Sequence, residues 1–224
     1  EHFQQAAGIT LNVTHLNSTD DGIHTLFSGT FKETSRFFLN DIFSVTVPLS
    51  IKFSGKNIAF IPKLGIRASF KYADIMLNGY RMVQFPNMDD LYWGNSSYAC
   101  GNPDLTPEYG WGAECTVNAH NIFIPFSICV FTNYYTNKIQ WYSDSSGKWM
   151  PQNVASAFYL GFDISFKKTF FSVLTVKGNV EYLHNQVLDK SNKLTYGNRI
   201  MWTPDFVGSL IVSLNAKYVF ISVE

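Results

Sequence analysis

Apolar and polar residues alternate strictly over long stretches of this chain. In Phe43–Ser54 (FSVTVPLSIKFS), Phe43, Val45, Val47, Leu49, Ile51 and Phe53 share one face, opposite Ser44, Thr46, Pro48, Ser50, Lys52 and Ser54. Ile58–Phe70 sets Ile58, Phe60, Pro62, Leu64, Ile66, Ala68 and Phe70 against Lys63, Gly65, Arg67 and Ser69. Trp111–His120, Phe158–Phe166 and Gly208–Phe220 repeat the pattern, with Trp111, Ala113, Cys115 and Val117 in the first facing away from Glu114 and Asn118. A period of two sustained for about nine residues or more predicts long strands whose two faces differ chemically.

Length separates the environments in which such strands live. Strands of soluble proteins cluster near 5–6 residues, whereas a tilted membrane-crossing strand needs about 9–11. Aromatic pairs lie toward the predicted strand ends: Phe37–Phe38, Tyr92–Trp93, Tyr134–Tyr135, Trp141–Tyr142 and Phe170–Phe171. Interfacial girdles place them there. The pattern predicts an all-β chain: one domain over residues 1–224, forming an antiparallel transmembrane β-barrel segment of roughly ten or eleven long strands. Short links at Ser54–Asn57, Lys71–Asp74 and Lys167–Thr169 alternate with long ones near Met82–Glu108, Thr136–Ala155 and Asn185–Arg199. Short turns are therefore expected at one end of the barrel and long loops at the other. No helical pattern stands out. A soluble β-sandwich with Phe-rich inner faces remains an alternative. It accounts less readily for long strands with so few charges on the polar face.

Composition sharpens this picture. Charged residues make up 15% of the chain and aromatics 17%, with 17 Lys+Arg balancing 17 Asp+Glu. A soluble domain carries roughly 25% charged residues. A neutral chain lacks the basic surface that nucleic-acid binding needs, and low charge with many aromatics argues against disorder. No apolar run approaches the ~18–20 residues of a membrane helix; the longest, Ile122–Phe131, is interrupted by Pro125 and Ser127. Glu1–Thr10 has no charged start and apolar core of the kind that marks an export signal. Cys100, Cys115 and Cys129 cannot make a closed disulfide framework, although Cys100, in a long loop, could pair with one of the other two in an oxidising compartment. His2, His15, His24, His120 and His184 have no ligand-like spacing, so neither metal nor cofactor is expected.

One region carries more than periodicity. It reads Arg81-Met-Val-Gln-Phe-Pro86, continues to Leu91-Tyr92-Trp93, and then runs Gly101-Asn102-Pro103-Asp104-Leu105-Thr106-Pro107-Glu108. Pro103 and Pro107 fix φ and remove backbone donors, so this stretch cannot be a paired central strand. Asn102 and Asp104 favour side-chain-to-backbone turns. The segment reads as a rigid loop feeding a strand that begins near Tyr109.

The same residues resemble a segment of TonB-dependent outer-membrane receptors, "F-R-A-P-x-x-x-x-L-Y" followed by "G-N-P-x-L-x-P-E". Pro86, Leu91, Tyr92, Gly101, Asn102, Pro103, Leu105, Pro107 and Glu108 carry the match, although the Arg-Ala before Pro86 is missing. Upstream, Pro62-Lys63-Leu64-Gly65-Ile66-Arg67 is similar to the family's "P-K-L-G-L-R". Downstream, Ile139–Trp141, Trp149–Asn153 and Gly161–Asp163 follow its "I-x-W … W-x-P-x-N … G-x-E", with Asp163 in place of Glu.

The resemblance implies a barrel of about 22 strands, filled by an N-terminal plug, that takes up scarce solutes such as iron-siderophores, haem or cobalamin. Energy reaches such a receptor through TonB, and the ligand undergoes no covalent chemistry. The expected partners are outer-membrane lipid, a small metal chelate or haem- or cobalamin-like ligand, and TonB by way of a plug absent from this chain. The expected location is the bacterial outer membrane. With about half the strands, no plug-like segment and no TonB box, the chain is expected to be a portion of a receptor.

Two functional alternatives stay open: a complete small outer-membrane barrel (a porin, or a hydrolase with a site at its rim) and a soluble sandwich that binds ligands. No clustered Ser/His or Asp/His group supports the hydrolase, so no catalytic residue is expected. Tyr92, Trp93, Trp141, Tyr142 and Trp149 are candidates to pack on a flat ligand, or else to anchor at the membrane interface. Lys52, Lys63, Arg67, Glu114, Asp163, Lys177, Glu181 and Lys217 lie on the polar face, as a ligand path or as a hydrated lumen wall.

Overall fold

The computed structural model describes residues 2–18, 22–188, 196–200, 203–216 and 219–223. Every strand but the outer two pairs with both of its sequence neighbours, giving one antiparallel meander of eleven strands in chain order. They are β1 (Phe3–Ser18), β2 (Gly22–Phe38), β3 (Phe43–Ser54), β4 (Asn57–Ser69), β5 (Ala73–Gln84), β6 (Glu108–Ala119), β7 (Phe126–Ser143), β8 (Trp149–Phe170), β9 (Leu174–Val187), β10 (Phe206–Ala216) and β11 (Val219–Val223). A five-residue helix, α1 (Met88–Tyr92), lies between β5 and β6.

Register follows the alternation read from the sequence. Ser44 faces Arg67 across β3 and β4, and Lys63 faces Tyr80 across β4 and β5. Asn78 faces Glu114 across β5 and β6, so the polar set lines up on one side of the sheet. Between Thr46↔Gly65 and Leu49↔Pro62 the β3–β4 pairing lapses, where Pro48 and Pro62 offer no amide donor.

The sheet buries almost nothing between layers. Ala157, Val187 and Ile200 form the sole buried apolar cluster among the described residues. Ile9, Leu11 and Ile58 on the apolar face are 70%, 71% and 71% exposed. A sandwich would cover such residues with a second sheet. Here no second sheet exists among the described residues, and the apolar face has only an apolar solvent to meet. The soluble-sandwich alternative fails on this point. No helix of the described residues is long and apolar enough to cross a membrane.

Several expected boundaries move. Thr136–Ala155 is a continuation of β7 and β8, joined by a turn at residues 144–148, rather than a long loop. β8, at 22 residues, is about 75 Å long at ~3.4 Å per residue, about twice the ~9–11 residues that a tilted strand needs to cross a bilayer. Tyr134–Tyr135 consequently lies in mid-strand. Lys167–Thr169 belongs to β8, and the turn falls at residues 171–173. The Ser54–Asn57 turn sits at the same end as the long β5–β6 and β9–β10 connections, so that end, called upper below, mixes short and long links. The lower end carries short turns at residues 39–42, 70–72, 120–125 and 171–173. Lys217 lies outside the described residues.

Candidate functional site

At the upper end the β5–β6 loop, residues 85–107, folds against the extended β7–β8 hairpin. Asn87 starts the turn that makes this possible. Its side chain accepts from the Asp90 amide (2.7 Å), and Asp90 Oδ2 accepts from the Asn87 amide (3.2 Å), closing a capping box around α1. The other Asp90 oxygen accepts from Trp141 Nε1 on β7 at 3.1 Å. The chain then doubles back: the Gly101 amide donates to the Trp93 carbonyl (2.9 Å) and the Asn102 amide to the Asp90 carbonyl (2.8 Å). A Cβ on Gly101 would stand 2.6 Å from the Trp93 nitrogen and 2.8 Å from the Leu91 carbonyl, so only glycine admits this approach.

From there the loop is tied to β8 residue by residue. Trp149 receives a hydrogen bond from the Cys100 amide and gives one to the Tyr98 carbonyl, at 3.0 and 2.8 Å. Asn102 Nδ2 donates to the Pro151 carbonyl (3.0 Å), while its oxygen holds the Asp104 amide (3.1 Å). Asn153 is the keystone. Its Oδ1 accepts from the Thr106 amide (3.0 Å), and its Nδ2 donates to the carbonyls of Thr106 (2.9 Å) and Asn137 (2.8 Å). Glu108, only 4% exposed, accepts from the Ile139 amide (2.9 Å) and from Lys138 Nζ (2.8 Å). Pro86, Leu105 and Pro107 are buried beneath the loop.

The residues picked out by sequence thus meet. Gly101, Asn102, Leu105, Pro107 and Glu108 converge with the downstream Ile139, Trp141, Trp149, Pro151 and Asn153, forming a clasp made of backbone and amide hydrogen bonds. Pro103 is exposed at its rim. Of the five aromatic candidates, Trp93 packs edge-on to Trp141 at 6.1 Å, and Tyr92 stacks on His24 of β2 at 3.8 Å. Trp149 pairs with Ala99 in a bridge. Tyr142 alternates to the face opposite Trp141, and its hydroxyl donates to Gln140 (2.8 Å). Beside the clasp lies a cavity of about 400 Å³ lined by His24, Tyr92, Trp93, Asn95, Cys100 and Lys148. Asn87, Asp90 and Lys138 carry no role in the sequence reading, and His24 reads there only as a histidine without ligand-like spacing. The Asn87-x-x-Asp90 spacing was a usable signal for the helix start; the others depend on long-range pairing that no local pattern encodes.

Below the clasp, the polar face carries charges that reach across strands. Lys63 of β4 meets Glu114 of β6 at 3.2 Å, with Asn78 of the intervening β5 also donating to Glu114 at 3.0 Å. Tyr80 of β5 donates to Asn133 of β7 at 3.1 Å. Strands two apart are separated by roughly 10 Å, a gap that these long side chains span across the polar side, and a sheet curved toward that side shortens it. Gly112, between Tyr80 and Asn133, leaves the space in which they meet. Arg67 and Asp74 pair at 2.6 Å, with His120 Nε2 at 3.7 Å from the same carboxylate oxygen. Cys100, Cys115 and Cys129 are all free thiols, so the possible Cys100 disulfide is not formed. Cys115 points to the apolar side, Cys129 to the polar one.

An apolar convex face, a polar concave face and one elaborated end together define the wall of a membrane-spanning β-barrel. A family model for the "TonB dependent receptor-like, beta-barrel" domain matches residues 50–221, and the chain belongs to that family of receptors and transporters. Over 84 residues, 36% of this chain, it is 31% identical to the vitamin B12 transporter BtuB of Photobacterium profundum and covers 13% of that protein. The siderophore receptor PirA from Pseudomonas aeruginosa matches 96% of the chain with a TM-score of 0.73 at 15% identity. The FrpB iron transporter from Neisseria meningitidis matches 97% at TM-score 0.67 and 11% identity. The chain covers 40% of PirA and 38% of FrpB, well under the length of either.

Proposed function

We propose that this chain forms part of the barrel of an outer-membrane receptor that takes up a scarce solute in a TonB-dependent way, the solute being of the iron-siderophore, haem or cobalamin class. The observation that carries this is the clasp: residues that match the family's separated motifs lie in contact, on a sheet whose apolar side faces outward. Its partners are then outer-membrane lipid along the convex face, a small ligand entering from the upper end, and TonB acting through a plug domain. Relatives named for vitamin B12, siderophore and iron transport support the class of solute without agreeing on one member. Tyr92, Trp93 and the cavity beside them form the candidate ligand surface, with Trp141, Tyr142 and Trp149 supporting or flanking it.

The test is uptake by cells with and without the gene. Deletion should abolish TonB-dependent accumulation of one of three labelled probes: a ferric siderophore, haem or cyanocobalamin. The protein should fractionate with the outer membrane. Unchanged accumulation of all three, or a protein recovered soluble without detergent, overturns the proposal.

A further inference from the structure

The lower half of the polar face holds an arrangement that cross-strand ties do not explain. Asn118, Ser127, Ser165, Asn179 and Ser209 stand in direct register across β6, β7, β8, β9 and β10. They make a continuous row of short hydroxyl and amide side chains. Ser209 and Asn179 are linked, and Asn179 donates to Asp163 at 2.9 Å. Asn118, Ser127 and Ser165 have no side-chain partner among the described residues. Immediately below, Lys167 of β8 sits directly opposite Lys177 of β9. Like charges in that position repel, and neither ammonium has an anionic partner among the described residues. Two rungs higher, Asp163 faces Glu181, so the acidic groups are grouped with one another and do not neutralise the lysines. The row and both lysines line a cavity of about 520 Å³.

We propose that this cavity binds an oxyanion, a carboxylate or phosphate, between Lys167 and Lys177, with Ser165, Ser127 and Asn118 donating to its oxygens. Paired ammonium groups beside neutral donors match an anion with several acceptor oxygens, and the anion relieves the repulsion of the pair. The oxyanion has two possible sources: an acidic side chain of a polypeptide packed on the concave face, or a free solute crossing it. The proposal rests on the reading of this face as a barrel lumen.

The experiment uses the detergent-solubilised protein as purified from outer membranes. Lysine acylation is followed by peptide mass spectrometry, with and without inorganic phosphate, and Lys56 in the exposed β3–β4 turn is the reference. A zero-length carbodiimide reaction is run in parallel. A polypeptide source gives an amide cross-link from Lys167 or Lys177 to a carboxylate and several-fold slower acylation of both than of Lys56. A free-anion source gives no cross-link but several-fold protection by phosphate. Either result supports the site, and in K167Q/K177Q the cross-link, or phosphate binding seen by calorimetry, is lost. Acylation of both lysines at the Lys56 rate, with no cross-link and no phosphate effect, overturns it. Labelling does not depend on transport, so this failure is distinct from a failure of the uptake test.

Discussion

The two ends of the sheet are ordered by different means. At the upper end, the β5–β6 loop is fixed by amide, carbonyl and carboxylate contacts to β7 and β8, each aimed at one partner. At the lower end the turns are short and their large side chains point outward. Phe123 is 74% exposed and Phe171 is 93% exposed, although Phe171 occupies a turn with φ of 51°. Lys168 lies over the Phe123 ring at 4.8 Å, and Phe170 packs edge-on to that ring at 6.3 Å. Aromatic rings with a neighbouring cation suit a headgroup boundary. The upper end is therefore tied by contacts between segments far apart in the chain, whereas the lower end closes its turns with bonds such as those from the Phe43 amide to Asn40 Oδ1 (2.7 Å) and from Asn121 Nδ2 to the Lys71 carbonyl (2.8 Å) and leaves its rings exposed. This contrast predicts that substitutions within the clasp act strongly on stability and that truncating the exposed rings below acts weakly.

The largest effect is expected at Glu108. In Glu108→Ala the part-buried Ile139 amide and the Lys138 ammonium both lose their acceptor. The cost is about 3 kcal/mol, measured as a lower urea midpoint in micelles by tryptophan fluorescence. Glu108→Gln keeps one acceptor and should lose about half as much. A midpoint unchanged in Glu108→Ala would break the contrast at its strongest point. Gly101→Ala comes next. Its methyl meets backbone rather than a flexible side chain, so the loop must shift, at about 1–3 kcal/mol. Proteolysis within residues 85–107 should speed up more than global unfolding does, because the strain is confined to the clasp.

How much of this was legible beforehand follows from the physics of each part. Strand faces were, because alternation is a local property: Lys63, Arg67, Glu114 and Asp163 fell on the polar side as read. The motif loop was legible as rigid from Pro103 and Pro107. Its partners were legible only as a list, since nothing local says that Asn153 bonds to Thr106, 47 positions away in the chain. The β7–β8 extension reads as loop in the sequence because polarity signals water, and a solvated strand is as wet as a loop. The α1 helix was hidden by its five-residue length, too short for a periodic signal.

A smaller effect tests the lower end. Phe123→Ala and Phe171→Ala should each leave the unfolding midpoint in micelles within about 0.5 kcal/mol of the parent, as exposed positions do. Clasp proteolysis should not change. Insertion into phospholipid vesicles should fall, since a bilayer boundary is what these rings are placed to meet. A micelle midpoint that drops as far as that of Glu108→Ala would show that these rings hold the lower end as the clasp holds the upper.

The smallest effect belongs to Asp144, in the β7–β8 turn beyond the membrane span. Its Oδ1 accepts from the Ser146 hydroxyl (2.6 Å), the Ser146 amide (2.8 Å) and the Lys148 amide (3.0 Å). These bonds, led by that from the Ser146 side chain, hold its carboxyl below the usual value of 3.8. A carboxylate with a lowered folded-state pKa stabilises the turn at every pH above its ordinary value, and that stabilisation is lost as pH falls through the lowered one. Hydrogen exchange at the Ser146 and Lys148 amides should therefore stay flat from neutral pH down to the ordinary carboxylate range, after correction for intrinsic exchange. It should accelerate only below that range. Asp144→Asn keeps an acceptor oxygen but cannot titrate, so the acid step should vanish while the turn persists. An acid step that survives in Asp144→Asn would assign it to another group, and a step beginning near neutral pH would show that the three donors do not hold the charged form.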